Sequence, residues 1–189
     1  MTKVTDKRAA ILNTALEQLA INGFHNTPMS LIAKEAGVSA GIIYHYFESK
    51  EALIHELYRE IKVKFSAALF VGEPQKLSGI ESLRLVWFNA YHFYVSHPPE
   101  TLFLEQYENS PYFRYTVEDP DSVVIPLVEK TQQAIKEGII VDLPFSVLGN
   151  LTFGVAMSLA KQQIAKRVNL DEEMLEKIAN AIVKGLQTA

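Results

Sequence analysis

Few side chains in this sequence could do covalent chemistry, and their spacing does not favour it. The 189 residues include five histidines and no cysteine. Disulfides, thiolate nucleophiles and Cys-built zinc or iron–sulfur sites are therefore excluded, and a reducing, cytoplasmic setting is expected. His55-Glu56 starts an HExxH pattern that lacks its second histidine. There is no glycine-rich phosphate loop and no Ser/His/Asp spacing, so neither an enzyme nor a metal or other cofactor is expected.

What the sequence concentrates is aromatic surface. Ten of its 19 aromatic residues fall between positions 87 and 115: Trp87, Phe88, Tyr91, Phe93, Tyr94, Phe103, Tyr107, Tyr112, Phe113 and Tyr115. Most must be core, but ligand pockets are also apolar with a few polar tips. Trp87, Tyr91 and Tyr94 share a helical face beside Phe88, with Asn89 and His92 near. Phe103 and Tyr107 follow, and Phe153 and Met157 could close a cavity. With Glu105 or Glu108 turned inward, the box would suit a flat cation. With them in solvent, it would suit a neutral aromatic or acyl molecule. His92 reads as a hydrogen-bonded core residue rather than a base.

The elements that must position these groups are helical almost throughout. Ile11, Leu12, Ala15, Leu16 and Leu19 form an amphipathic stripe ending at Asn22-Gly23, and Leu53, Leu57, Ile61, Phe65 and Leu69 form a longer one. Ser78 with Glu81 reads as a capping box for a helix running to His97. Others are expected to Ser110, from Ser122 to Gly138 with Pro126 in its first turns or kinking it, from Pro144 to Arg167, and from an Asn169/Glu172 cap to Gly185. Only Ile139–Val141 looks strand-like. The expectation is an all-α fold of about nine helices: a three-helix head over 1–48, then a larger helical body over 49–189 joined through a helix from Ser49 to Phe70. No apolar run reaches the length of a membrane span.

The head breaks into short pieces. Thr27-Pro28 reads as a cap with a first-turn proline, opening a helix whose apolar face is Leu31, Ile32 and Ala36. Gly37 is placed for a left-handed turn. Ser39 can cap a second helix through Ala40, Gly41, Ile42, Ile43 and Tyr44, and the small Ala33 sits where the two would cross. This outline fits a helix-turn-helix or a plain helical hairpin. Helix starts attract phosphate, so Thr27 and Lys50 are candidate backbone anchors, as is Tyr44 one turn along. The alternatives are a simple cap at Thr27 and a half-buried core tyrosine at Tyr44.

Residues 11–53 resemble the DNA-binding domain of the TetR family of bacterial transcription regulators. The resemblance rests on Gly23-Phe24, Thr27, Ile32-Ala33, Ala36-Gly37-Val38-Ser39, Gly41, Tyr44-His45-Tyr46-Phe47 and Ser49-Lys50-Glu51-Ala52-Leu53. It implies phosphate roles for Thr27, Tyr44 and Lys50, base-edge positions at Ala40, Gly41 and Ile42, and a helical body that dimerises and often binds a ligand. None of those three base-edge residues can form a bidentate hydrogen bond. Ala40 and Ile42 can touch thymine methyls, Gly41 permits close approach, and Ser30, Ser39 and His45 are the polar candidates. DNA shape then carries a larger share of recognition. Lys3, Lys7 and Arg8 form either a DNA-seeking arm or a solvated tail.

The interface expectation falls on the last two helices, through Leu148, Leu151, Val155 and Leu159 and through Leu175, Ile178, Ile182 and Leu186. A C₂ homodimer would cover them, unless the chain's own helices do. The formal charge of −4 divides unevenly. Residues 1–65 hold eight Lys/Arg against seven acids, net +1, and the remainder carries −5. The whole implies a dimeric, DNA-binding repressor of an operator, released by a small hydrophobic or aromatic effector. The alternative is a helical ligand carrier or protein-interaction module whose head does not bind DNA specifically.

Overall fold

The computed structural model describes residues 2–113 and 125–188, with side chains from 7 to 113 and from 128 to 188. The expected helix start at Ser122, the side chain of Lys3, and Tyr115 lie outside the described residues. In chain order the helices are α1 (Thr2–Asn22), α2 (Met29–Glu35), α3 (Ala40–Tyr46), α4 (Lys50–Leu69), α5 (Gly79–Ser96), α6 (Pro98–Glu108), α7 (Ile125–Lys136), α8 (Phe145–Gly149), α9 (Val155–Ile164) and α10 (Glu172–Leu186). A 3₁₀ turn, Pro74–Lys76, precedes α5, and a π turn, Asn150–Gly154, joins α8 to α9 without a break. Counting α8 and α9 as one rod gives the all-α architecture expected.

Packing divides the chain at Lys62/Val63, within α4. One unit holds α1–α3, α4 up to Lys62, and α6 from Pro99; the other holds α4 from Val63, α5 and α7–α10. In the first unit the apolar stripes converge as periodicity requires: Ile11, Leu19, Ile32, Ile43, Leu53 and Ile54 are fully buried. Truncating such a residue to Ala typically costs about 2–5 kcal/mol. Gly37 (φ 66°) reverses the chain between α2 and α3, with the Val38 amide donating to the Ala33 carbonyl at 2.9 Å. That 6→1 bond is a Schellman cap. Ser39 caps α3 by accepting the Ile42 amide, and Ser49 caps α4 by accepting that of Ala52.

Two caps differ from expectation. Thr27 does not cap α2; Pro28 holds the cap position with no side-chain bond. The Thr27 hydroxyl is 0% exposed and lies 2.9 Å from the Gly23 carbonyl and 3.2 Å from that of Gln18, tying down the end of α1. At α10 the cap is Asp171, accepting the Met174 amide at 2.9 Å, and not Asn169.

In the second unit α5 packs along α9, where the fully buried Ala156 and Ala160 permit close approach, and against α10. Phe65 stacks on Tyr94 with ring centroids 5.1 Å apart and meets Phe153 edge-on at 6.0 Å. The helix expected from Pro144 to Arg167 is found over Phe145–Ile164, its ladder widened at the π turn. Thr152 Oγ1 donates back to the Leu148 carbonyl at 2.7 Å, a bond that competes with the helical ladder. Ile139–Val141 forms no strand beyond an isolated bridge, Ile140 to Gln187, that fastens the C-terminal end. No helix among the described residues is long and apolar enough to cross a membrane.

Candidate nucleic-acid interface and effector site

The start of α3 stands outward because its opposite side is spent on packing. Ile43 is fully buried and Ile42 half-buried, whereas Ser39, Ala40, Gly41 and His45 are exposed and Tyr44 is 54% exposed. Tyr44 is therefore a surface residue, with its hydroxyl available to a ligand. Ser30 and Lys34, one turn apart on α2, are exposed beside this helix in sequence order. The α3 surface thus offers small and apolar groups flanked by hydroxyls and one imidazole, a set that reads methyl groups and backbone better than base hydrogen bonds.

Several expected anchors are committed elsewhere. Thr27 is internal, as above, and its hydroxyl has no access to a phosphate. The Lys50 ammonium donates to the Phe24 carbonyl across 26 residues, and its burial pushes its pKa below the usual lysine value. Arg8 pairs with Glu56 and with Glu60, the latter at 2.9 Å, and its guanidinium sits 5.7 Å over the Phe47 ring. The hydrogen bond it donates to Glu60 leads in raising its pKa. Arg8 is thus a strut between α1 and α4, neither a free arm nor a frayed tail. Lys7 and Lys34 are exposed and show no ion pair among the described residues. Sequence reasoning passed over Lys34; the signal was its i+4 position from Ser30.

The aromatic-rich stretch divides between the two units. Phe103 and Tyr107 belong to the first. Phe103 packs on Phe24 at 5.4 Å, Tyr107 stacks on Tyr58 at 4.1 Å, and the Tyr107 hydroxyl is 3.0 Å from His55 Nδ1. Gln106 Nε2 donates to the Ala20 carbonyl at 3.1 Å. These contacts hold α6 against α1 and α4, a structural task that explains its aromatic content. Glu105 and Glu108 ride on the same helix. Glu108 faces Lys62, opposing the burial that lowers the lysine's pKa.

In the second unit Trp87, Tyr91, Tyr94 and Met157 are buried, and Phe88 and Phe153 are half-buried. His92 is exposed and stacks on Phe88 at 6.2 Å, so it is not the core residue expected. A narrow apolar crevice lies between α5, α7, the π turn and the C-terminal end, lined by Leu83, Ile140, Leu148, Thr152, Phe153 and Leu186 among others. Its free volume is small, about 30 Å³. Of the nine expected ligand residues only Phe153 lines it.

The interface stripe is corrected in the same way. Leu148, Leu175 and Leu186 are buried by their own chain, Leu148 and Leu186 in one cluster with Ala134 and Ile140. Leu151 is 44% exposed, Val155, Leu159, Ile178 and Ile182 are half-buried, and Val147 and Met174 join them as exposed apolar residues. Among the described residues no group of three His, Cys, Asp or Glu is placed to hold a metal ion.

Comparison with known proteins agrees with this geometry. The family model for bacterial regulatory proteins of the tetR family matches residues 11–57, and that for a tetracyclin repressor-like C-terminal domain matches residues 80–184, over half of the chain. An uncharacterized HTH-type transcriptional regulator of Haemophilus influenzae is 27% identical over 183 residues, 97% of either chain. A crystal structure of a TetR-family transcriptional regulator from Haemophilus influenzae Rd superposes with a TM-score of 0.82 at 28% identity over the whole of both chains. A TetR family regulator from Marinobacter aquaeolei VT8 shares the fold with a TM-score of 0.88 at 22% identity, covering 98% of this chain and 97% of its own. The chain belongs to the TetR family of helix-turn-helix transcription regulators, which bind DNA and are not enzymes.

Proposed function

We propose that the protein is a homodimeric repressor in the cytoplasm that leaves its operator when a small hydrophobic effector enters the second unit. The observation that carries the DNA half is the outward start of α3, with Ser39, Ala40, Gly41, Tyr44 and His45 exposed over a packed Ile43. Ser30 and Lys34 are assigned to the phosphates beside it, and Lys50 to positioning the turn before α2. Two such helices, one per protomer, would enter successive major grooves about 34–36 Å apart.

The stripe of exposed Val147, Leu151 and Met174 with half-buried Val155 and Ile178 supports the dimer, since a C₂ contact needs one self-complementary apolar patch. The apolar crevice supports an effector of hydrophobic character. α4 runs through both units, so a ligand that favours one setting of its Val63–Leu69 half biases the Lys50–Lys62 half. The effect is limited to the ligand's differential affinity for the two states, typically about 1–3 kcal/mol.

Selection of a tight duplex from a random pool, followed by anisotropy titration, tests the reading. A two-half-site sequence with one-turn spacing, bound far more tightly than random DNA, is expected. Equal affinity for both would favour the interaction-module alternative.

A further inference from the structure

α5 buries a line of hydrogen-bond donors with nothing to donate to. Arg84, Trp87 and Tyr91 stand at i, i+3 and i+7, one face of the helix. Trp87 and Tyr91 are each 1% exposed, and their rings lie nearly parallel, centroids 5.9 Å apart. Among the described residues, Trp87 Nε1, the Tyr91 hydroxyl and Arg84 Nε have no hydrogen-bond partner. Burying a polar group unpaired is costly, and native chains seldom do so three times on one helix face.

The charge around the line narrows what it can hold. The Arg84 guanidinium is already engaged by Glu176 through Nη2, so its charge is neutralised. Burial, and secondarily Glu172, raise the Tyr91 pKa, which keeps its hydroxyl protonated. An anion would meet the field of Glu172 and Glu176, with the Arg84 charge already paired. A cation would meet an indole N–H that can only donate. A neutral oxygen acceptor is left.

Leu83, which lines the apolar crevice, is one turn before Trp87 on the same helix. We propose that Trp87 and Tyr91 form the polar end of the effector site, donating to the carbonyl oxygen of a neutral, otherwise apolar molecule whose chain lies along the Leu83 side. This rests on the effector reading above and specifies its chemistry.

Trp87 is the only tryptophan in the chain, so its emission reports the site directly. Four ten-carbon probes should be titrated against the full-length protein: 2-decanone, decane, decanoate and decylammonium. The ketone is expected to shift the emission and to bind about five- to tenfold more tightly than the other three, the range one or two net hydrogen bonds supply. Tyr91→Phe should remove most of that advantage, leave decane unchanged, and raise the unfolding midpoint of the unliganded protein by deleting an unpaired hydroxyl. Decane binding as tightly as the ketone, no probe shifting the emission, or a lowered midpoint in Tyr91→Phe would each overturn the assignment.

Operator release measured in parallel separates the two ideas. A ketone that binds at Trp87 and leaves DNA bound sinks the release reading alone. Release by any of these probes with unchanged emission sinks the donor site alone.

Discussion

Glycine in the second position of a seven-residue helix costs stability, and Gly41 contributes no packing in exchange. A Cβ built there would meet only Ser39 Oγ, at 3.9 Å, and the backbone is not left-handed. The fold therefore has room for alanine, and Gly41→Ala is expected to raise the thermal stability of the protein by about 0.5–1 kcal/mol. Its methyl would stand on the exposed start of α3, so operator affinity should fall by about 1–3 kcal/mol, the scale of overpacking a close contact. Calorimetry and anisotropy on one preparation check both signs; an alanine variant that binds DNA as well as wild type would remove Gly41 from the interface. Lys50 and Lys34 separate by a different measurement. With its ammonium on the Phe24 carbonyl, Lys50→Met should destabilise the protein by about 1–3 kcal/mol and leave the salt slope of DNA binding unchanged. Lys34→Ala should leave stability alone and flatten the slope by about 0.9, one phosphate's worth. The reverse pattern would return the phosphate contact to Lys50.

At the scale of elements, the turn after α9 sets out a stability test. Lys166 adopts a left-handed backbone (φ 56°), where the Arg167 amide reaches the Gln162 carbonyl at 2.9 Å. The same cap at the ends of α2 and α7 uses Gly37 and Gly138. Replacing Lys166 by Gly relieves a steric cost of about 1–2 kcal/mol per residue, less the extra chain entropy glycine loses, so a net gain near 1 kcal/mol is expected in denaturant unfolding. Caps of this kind were legible in the sequence wherever a local pattern and its use coincide: Gly37, Ser39 and Ser78 all stand where spacing put them. Thr27-Pro28 misled because the same hydroxyl that can cap a helix is consumed by the carbonyls at the end of α1. The π turn escaped because periodicity does not register a threonine bonding back to Leu148. The docking of α6 through Gln106, Phe103 and Tyr107 escaped for a deeper reason. It joins residues 49 to 86 apart, and an aromatic stripe looks the same whether it lines a pocket or a helix contact.

Across the whole molecule, the division of charge and of exposed apolar surface points to assembly as the quantity that governs DNA binding. With only net +1 over residues 1–65, the DNA-binding end has little long-range attraction for a polyanion, so one copy is expected to hold DNA weakly and two copies held at a fixed spacing to gain through effective concentration. Leu151 and Met174, 44% and 47% exposed, lie on the stripe assigned to the partner protomer. In an isologous contact each occurs twice, so Leu151→Glu with Met174→Glu buries four like charges near a two-fold axis. Both positions are exposed in the single chain, so its helical content should survive the change. Sedimentation should find a monomer, and affinity for a full operator should drop to that measured for an isolated half-site. A double variant that still sediments as a dimer would place the interface elsewhere. One that is monomeric yet binds the full operator undiminished would mean that each head recognises DNA alone, and that recognition-helix spacing cannot be what the effector controls.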